Sequence, residues 1–596
     1  MRRWFLRLWR RSIGLWEHIP VWLDRSGVDE QAMLLLFAAV GGALSASGVI
    51  AFYWSIDLAY TAFFHWPERV LAKLPWIFYR PLATAAALAA AAWLWQRVGR
   101  GSDGITVPDV QVAVVHRGGR VPMRGALART AASAITIGGG GSAGSEGPVA
   151  VLGAAAGSAL GRLFRFSPER VRVLVGAGAA AGISAAFNAP LAGAFFALEE
   201  ILGAFRGGHF APVVVASVTG AVMSRAVFGN HPAFELPKTY NYDHTLEVLW
   251  AFPLLGLLCG VMSVAFVRTH FWMAERLRPA LARLGALMPW VAGALVGAMV
   301  LLSNGLLVGV GHLAIPLPTF AQMAWPALLA LAVGKIVATS LTLQLGGSGG
   351  LFTPSLYIGA AVGSAFAVLL HQLLPGFTSA PEAYALVAMG AVVAATTAAP
   401  ITATLLVFEI TGDYAIVPPL MIAVAISQLM LRRLSPDDLY SGWLRRRGEH
   451  LSRGSDHAAL ERLTVRQAFA AESPLLSATA TVPQILELFA SKSPALVPVV
   501  DEEQRLLGVL TSAELGAMAR TPPSLDAILL AADVAVPSEH VLPSESLQVA
   551  VRRMGVRGHS ALPVVDEVSG RVLGIIDRGH ILEVYERAVT SPDGTD

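Results

Sequence analysis

Apolar residues fall in long blocks through most of the chain. They dominate at 33–54, 82–95, 125–136, 148–160, 173–198, 210–228, 248–267, 287–310, 323–343, 354–374, 383–411 and 415–431. Crossing roughly 30 Å of hydrocarbon takes about 20 helical residues. Several blocks are shorter than that, and others are interrupted by Gly and Pro. Such segments put irregular backbone at membrane depth, which is tolerated only where it is buried in protein or lines a wet cavity. The pattern predicts an all-α polytopic membrane protein of the transporter or channel kind.

The flanks read differently. MRRWFLRLWRRS at the start sets five arginines among Trp4, Phe5, Leu6, Leu8 and Trp9. No apolar core and cleavage site follow, so a signal peptide is a poor fit. An amphipathic interfacial helix over 1–28 is expected. Arginines also flank the last apolar block, at Arg432, Arg433 and Arg445 to Arg447. The positive-inside rule then places both termini in the cytoplasm, around a membrane domain of 29–450. Over 451–590 the pattern becomes that of a soluble α/β region with a repeat. Ala495–Glu502, ALVPVVDE, returns as Ser560–Glu567, SALPVVDE. Each copy follows an amphipathic helical run and precedes a β-rich one, which predicts modules at 463–518 and 535–588. The polar tail 591–596 is expected to be disordered.

The apolar region repeats as well. Gly144–Gly153, with Gly157-Ser158 beyond, aligns with Gly350–Gly359 and Gly363-Ser364, placing Pro148 and Pro354 206 positions apart. NAPLAGAFFALEE at 188–200 aligns with AAPITATLLVFEI at 398–410, and Val107-Pro108 answers Ile315-Pro316. Three ordered matches at nearly constant offset predict two homologous halves with a site between them.

Composition narrows the class further. Of 596 residues 55% are hydrophobic and 14% charged, too little charge to cover a soluble surface of this size. A net charge of +3 gives no argument for nucleic acid. The single cysteine, Cys259, rules out an intrachain disulfide and any multi-cysteine metal site. No nucleophile–base pair, metal cluster or cofactor loop stands out, so an enzyme is the least favoured class, and no cofactor or metal is called for. His312 and the other histidines lack ligand spacing and are expected on the surface or in loops.

Candidate chemistry lies in the glycine loops. GGGGSAGSEGP, containing Gly144, Ser145 and Gly147, opens an apolar segment with unpaired backbone N–H groups and the positive end of a helix dipole. Gly349 and Gly350 sit in the matching loop of the second half. Two such ends converging would hold a small anion partly dehydrated, weakly enough for it to leave. Glu146 lies in the first loop. A carboxylate there must be paired, wet or protonated. Ionised, it can fill the anion site itself; protonated, it would release it. Glu199 and Glu200 close the run from Val173, and Glu409 takes the equivalent place. Side chains of neighbouring helical residues point about 100° apart, so one glutamate of the pair can face the interior.

GSEGP, GGLFTP, AAFNAPLAGAFFALEE and Tyr440 in LSPDDLYSGWL together resemble the CLC family of chloride channels and chloride–proton exchangers. The C-terminal pair resembles tandem CBS domains. The resemblance implies a homodimer with one pore per subunit, built from inverted halves with re-entrant helices. It implies transport of chloride, with protons as the coupled partner, in a bacterial inner membrane. By position, Glu146 matches the gating and external proton glutamate, and Glu200 the internal proton glutamate. Leu351 and Phe352 amides and the Tyr440 hydroxyl match the central chloride site.

One position departs from the family. Its G-S-G-I-P loop aligns with GITVP at 104–108, putting Ile105 where a serine donates to the anion. Thr106 is the nearest substitute, and Ser102 a weaker one needing another register. The expectation is weaker central binding. Exchange is the leading reading and an uncoupled, voltage-gated anion channel the alternative. A membrane sensor reporting through the CBS pair is a third reading, of another class. It requires ribose-contacting residues, where this chain has Thr511 with Glu514 and Asp577 with His580. Nucleotide binding there is not expected.

Overall fold

The computed structural model describes residues 30–70, 76–99, 105–203, 205, 207–230, 249–309, 317–375, 380–449, 460, 463–471, 473–492, 494–511, 514–516, 529–557 and 560–590. The expected N-terminal helix, the C-terminal tail, Ser102, His312 and Ile315-Pro316 lie outside them. The chain divides into two units, Met1–Leu451 and Ser452–Asp596.

The first unit is helical: α1 Glu30–Tyr60, α2 Trp76–Val98, α3 Val107–His116, α4 Met123–Gly138, α5 Glu146–Leu163, α6 Pro168–Phe187, α7 Pro190–Phe196, α8 Gly207–Phe228, α9 Ala251–Trp272, α10 Met288–Leu302, α11 Trp325–Gln344, α12 Phe352–Leu373, α13 Pro381–Thr397, α14 Pro400–Thr411, α15 Val417–Leu434 and α16 Ser441–Arg446. Seven helices among the described residues are long and apolar enough to cross a membrane. Two apolar blocks, 173–198 and 383–411, each prove to be two helices. The breaks come at Asn188-Ala189-Pro190 and Ala398-Ala399-Pro400. Proline lacks the N–H an ongoing helix requires and clashes with the preceding turn. Asn188 and Ala398 accordingly close their helices in the left-handed region, with φ of 56° and 59°.

The halves repeat in space as they do in sequence. In the first, α5 packs on α6 through Gly153 and Gly157, where a Cβ would strike the backbone of Gly178 and Leu174. In the second, α12 packs on α13 through Gly359 and Gly363, whose Cβ would strike Ala388 and Tyr384 backbone. Small residues let helices approach closely where no hydrophobic force drives them together. Bonds between the halves are reciprocal. Ser348 N–H donates to Thr136 Oγ1 at 3.0 Å, and Ser142 N–H to Thr342 Oγ1 at 3.2 Å. Gly144 and Gly350 form an antiparallel bridge, each N–H donating to the other's carbonyl at 2.9 and 2.7 Å. Contacts that swap in this way relate the halves by a local two-fold axis. Most of the buried apolar residues form one large core spanning both halves.

The second unit carries two small sheets. β1 Leu476–Ser477 runs parallel to β2 Val497–Val500, which pairs antiparallel with β3 Leu506–Leu510. β4 Ala561–Val565 pairs antiparallel with β5 Val572–Asp577. The helices α17 Val482–Lys492, α18 Leu547–Arg557 and α19 Arg578–Thr590 accompany them. The repeat shows in its irregularities: the register shifts at Val499/Val500 in one sheet and at Val564/Val565 in the other.

Candidate functional site

The two glycine loops meet at the Gly144–Gly350 bridge, bringing the first turns of α5 and α12 together. Close approach requires glycine here: a Cβ on Gly350 would lie 2.8 Å from Gly147 N and 2.9 Å from Glu146 Oε1. Glu146 opens α5 and is 3% exposed. Its carboxylate turns to the other half. Thr353 N–H donates to Oε1 at 2.6 Å, and the Thr353 hydroxyl to Oε2 at 2.5 Å. The Phe352 amide also acts on it. A buried carboxylate is costly unless hydrogen-bonded. Here the unpaired N–H groups and dipole of α12 supply the bonds an anion would otherwise take. Gly349 and Leu351 line the approach, and Ser145 precedes Glu146 at the start of α5.

That approach is a cavity of about 670 Å³, bordered by Ile105, Thr106, Gly147, Gly350, Leu351 and Tyr440. Arg129, Arg278 and Arg447 also face it, and no carboxylate does among its lining residues. Such a lining attracts anions before any one atom binds them. Tyr440 is placed by its neighbours. Leu439 N–H donates to Thr396 O at 2.9 Å, and the N–H groups of Tyr440 and Ser441 donate to Asp438 Oδ1 at 2.7 and 2.8 Å. Ile105, 3% exposed, presents a hydrocarbon side chain. The Thr106 hydroxyl donates to Asp109 Oδ2 at 2.5 Å.

The acidic pair after α7 divides. Glu200 lies in a π-turn, Ala197–Ile201, and is 1% exposed. Gln111 Nε2 donates to Glu200 Oε2 at 3.1 Å and to its carbonyl at 2.8 Å. Glu199 instead caps α14, accepting from Ile401 N–H, Thr402 N–H and the Thr402 hydroxyl at 3.1, 2.8 and 2.7 Å. Glu409 returns the contact, accepting from Leu191 and Ala192 N–H at the start of α7 at 2.8 and 2.7 Å. So Glu199 and Glu409 tie the halves together, and Glu200 alone of the three is enclosed.

Sequence reasoning missed several residues. Thr353 was visible only as part of GGLFTP. Gln111 had a signal, being an amide inside an otherwise apolar helix. Arg129 and Lys335, 206 positions apart, occupy equivalent places ahead of the two loops. Lys335 is fully buried, donates to Val308 O at 2.8 Å and lies 4.8 Å over the Tyr357 ring. His270 corrects the expectation of surface histidines. It is 4% exposed and 2.8 Å from Gln344 Nε2; it shares a helix face with Phe266, one turn earlier, and its ring also meets that of Phe271. Among the described residues no cluster of His, Cys, Asp and Glu could hold a metal ion.

Residues 86–432 match the family of voltage gated chloride channels, and 469–515 and 531–587 match the CBS domain. A putative chloride channel protein, ClcB-like, of Ralstonia nicotianae is 35% identical over 350 residues, 57% of this chain and 79% of that protein. The H(+)/Cl(-) exchange transporter ClcA of Klebsiella pneumoniae is 31% identical over 429 residues, 69% of this chain and 88% of that one. A slow cyanobacterial Cl-/H+ antiporter superposes with a TM-score of 0.62 at 26% identity, covering 71% of this chain and 99% of its own. A eukaryotic CLC transporter covers 92% of this chain and 97% of its own at a TM-score of 0.60; at 18% identity this is a likeness of fold.

Proposed function

The chain belongs to the CLC family, with a C-terminal CBS pair, and from that premise we propose that it exchanges chloride for protons across a membrane. The observation that carries this reading is the Glu146 carboxylate seated on Thr353 at the start of α12. Ionised, it occupies the place an anion would take. Once protonated it loses its charge and most of its hold on the N–H donors, and chloride displaces it. One group then gates the anion and carries the proton. Leu351 and Phe352 amides with the Tyr440 hydroxyl hold the central anion, and Glu200 passes protons from the other side. A homodimer in a bacterial inner membrane, with cytoplasmic termini, completes the reading.

The exchanger is favoured because a second carboxylate, Glu200, is enclosed and held by Gln111. Reconstituted in liposomes, a chloride gradient should drive uphill proton movement, and Glu146→Ala should end that movement while anion flux continues. Chloride conductance without proton movement in the unaltered chain would favour the uncoupled channel, a reading that Ile105 in the cavity wall supports. In the CBS pair the Thr511 hydroxyl donates to Glu514 within its own repeat. His580 N–H donates to Asp577 Oδ1 at 2.8 Å. Both groups are engaged locally, and titration of the full chain with adenine nucleotides is expected to give no binding heat.

A further inference from the structure

The loop before α3 places a hydroxyl beside the anion path and then turns it away. Thr106 borders the same cavity as Ile105, Leu351 and Tyr440. Its backbone N–H and its hydroxyl both donate to one oxygen of Asp109, at 2.7 and 2.5 Å. The other oxygen of Asp109 accepts from Arg447 at 2.6 Å, and the charge of Arg129 also falls on this carboxylate. Both oxygens of Asp109 are thus engaged as acceptors. A threonine hydroxyl has one hydrogen to give. While it points at Asp109, Thr106 can offer an anion only lone pairs, which repel it.

We propose that Asp109 is a specificity-determining positioning residue: by holding the Thr106 hydroxyl hydrogen, it denies the central anion a donor from this loop. The inference rests on the anion-transport reading above. Ile105 then fixes an apolar wall, and Tyr440 remains the one side-chain hydroxyl assigned to the anion. Small anions that need strong hydrogen bonds lose most from a missing donor, whereas larger, weakly hydrated ones lose least. The chain should therefore discriminate poorly between chloride and nitrate. Arg447 sharpens the effect by holding Asp109 in place from the far side.

The test is equilibrium binding of chloride and of nitrate to the full chain in detergent, by calorimetry. Thr106→Val should leave chloride affinity within about twofold, because the hydroxyl is already committed elsewhere. Asp109→Ala should tighten chloride about tenfold, the scale of a hydrogen bond to a charged group, and should raise the chloride-to-nitrate ratio. Adding Thr106→Val to Asp109→Ala should remove the gain in that ratio, separating the hydroxyl from the loss of a negative charge. Should Asp109→Ala not fold, Thr106→Val decides alone: a fivefold or greater loss of chloride affinity overturns the inference. Absence of chloride binding in the unaltered chain overturns the transport reading instead.

Discussion

Glu146 and Phe352 hold the same position in the two halves, 206 residues apart, and each opens a helix behind a glycine loop. The backbone treats them alike. Both loops pair across the Gly144–Gly350 bridge, and both helices then pack on their neighbours through paired glycines. The side chains part company. Glu146 reaches over to Thr353, whereas Phe352 packs on the Phe187 and Phe196 rings, at centroid distances of 5.8 and 6.4 Å. The next position differs too, with Gly147 facing Thr353. A symmetric scaffold thus builds two equivalent helix starts, and the chain gives a carboxylate to one and its hydrogen-bond donors to the other. Symmetry supplies the place; the departure from symmetry supplies the carboxylate seated in it.

The comparison can be broken most completely at Glu146 itself. Glu146→Gln keeps the shape and removes the titration, so coupled proton transport in liposomes should fall to background while chloride flux persists. Thr353→Val makes the second half as poor a receptor as the first. It deletes a charge-assisted hydrogen bond of about 1.5–3 kcal/mol, so chloride should compete better with the carboxylate and bind about tenfold tighter or more by calorimetry. Next in size is the symmetric pair of caps. Glu199→Ala and Glu409→Ala should each cost about 0.5–2 kcal/mol, seen as lower melting in detergent. Glu199, with three cap bonds against two for Glu409, should show the larger loss; equal shifts would contradict that ranking, and absent shifts the reciprocal arrangement. Smallest is Ile105→Ser, which adds a donor to an apolar stretch of the cavity wall. Chloride affinity should rise a few-fold, and Tyr440→Phe should lower it. No change in Ile105→Ser would remove Ile105 from the account of selectivity.

The site was unevenly visible. Glu146 could be found because a lone acid in an apolar, glycine-rich run has few ordinary explanations. Adjacency says only that Glu199 and Glu200 diverge, and it was the family resemblance alone that singled out Glu200. Their separation depends on where α14 and Gln111 lie, 200 residues downstream and 89 upstream. Thr106 carried a hydroxyl in the right stretch of sequence, but its orientation depends on Asp109, held in turn by Arg447 338 positions away.

By itself the sequence determined the class, the two-fold repeat and the place of Glu146 in the first glycine loop, and its motifs carried the resemblance to the CLC family. The first three rest on composition, period and local spacing and the last on motif resemblance, all of which survive without coordinates. Only the tertiary structure decided which carboxylates serve as caps, which one is enclosed, and that the Thr106 hydroxyl turns to Asp109. The reason is that a buried polar group must be satisfied by whatever the fold brings beside it, and for Glu146, Glu199 and Glu409 those partners come from the opposite half of the chain.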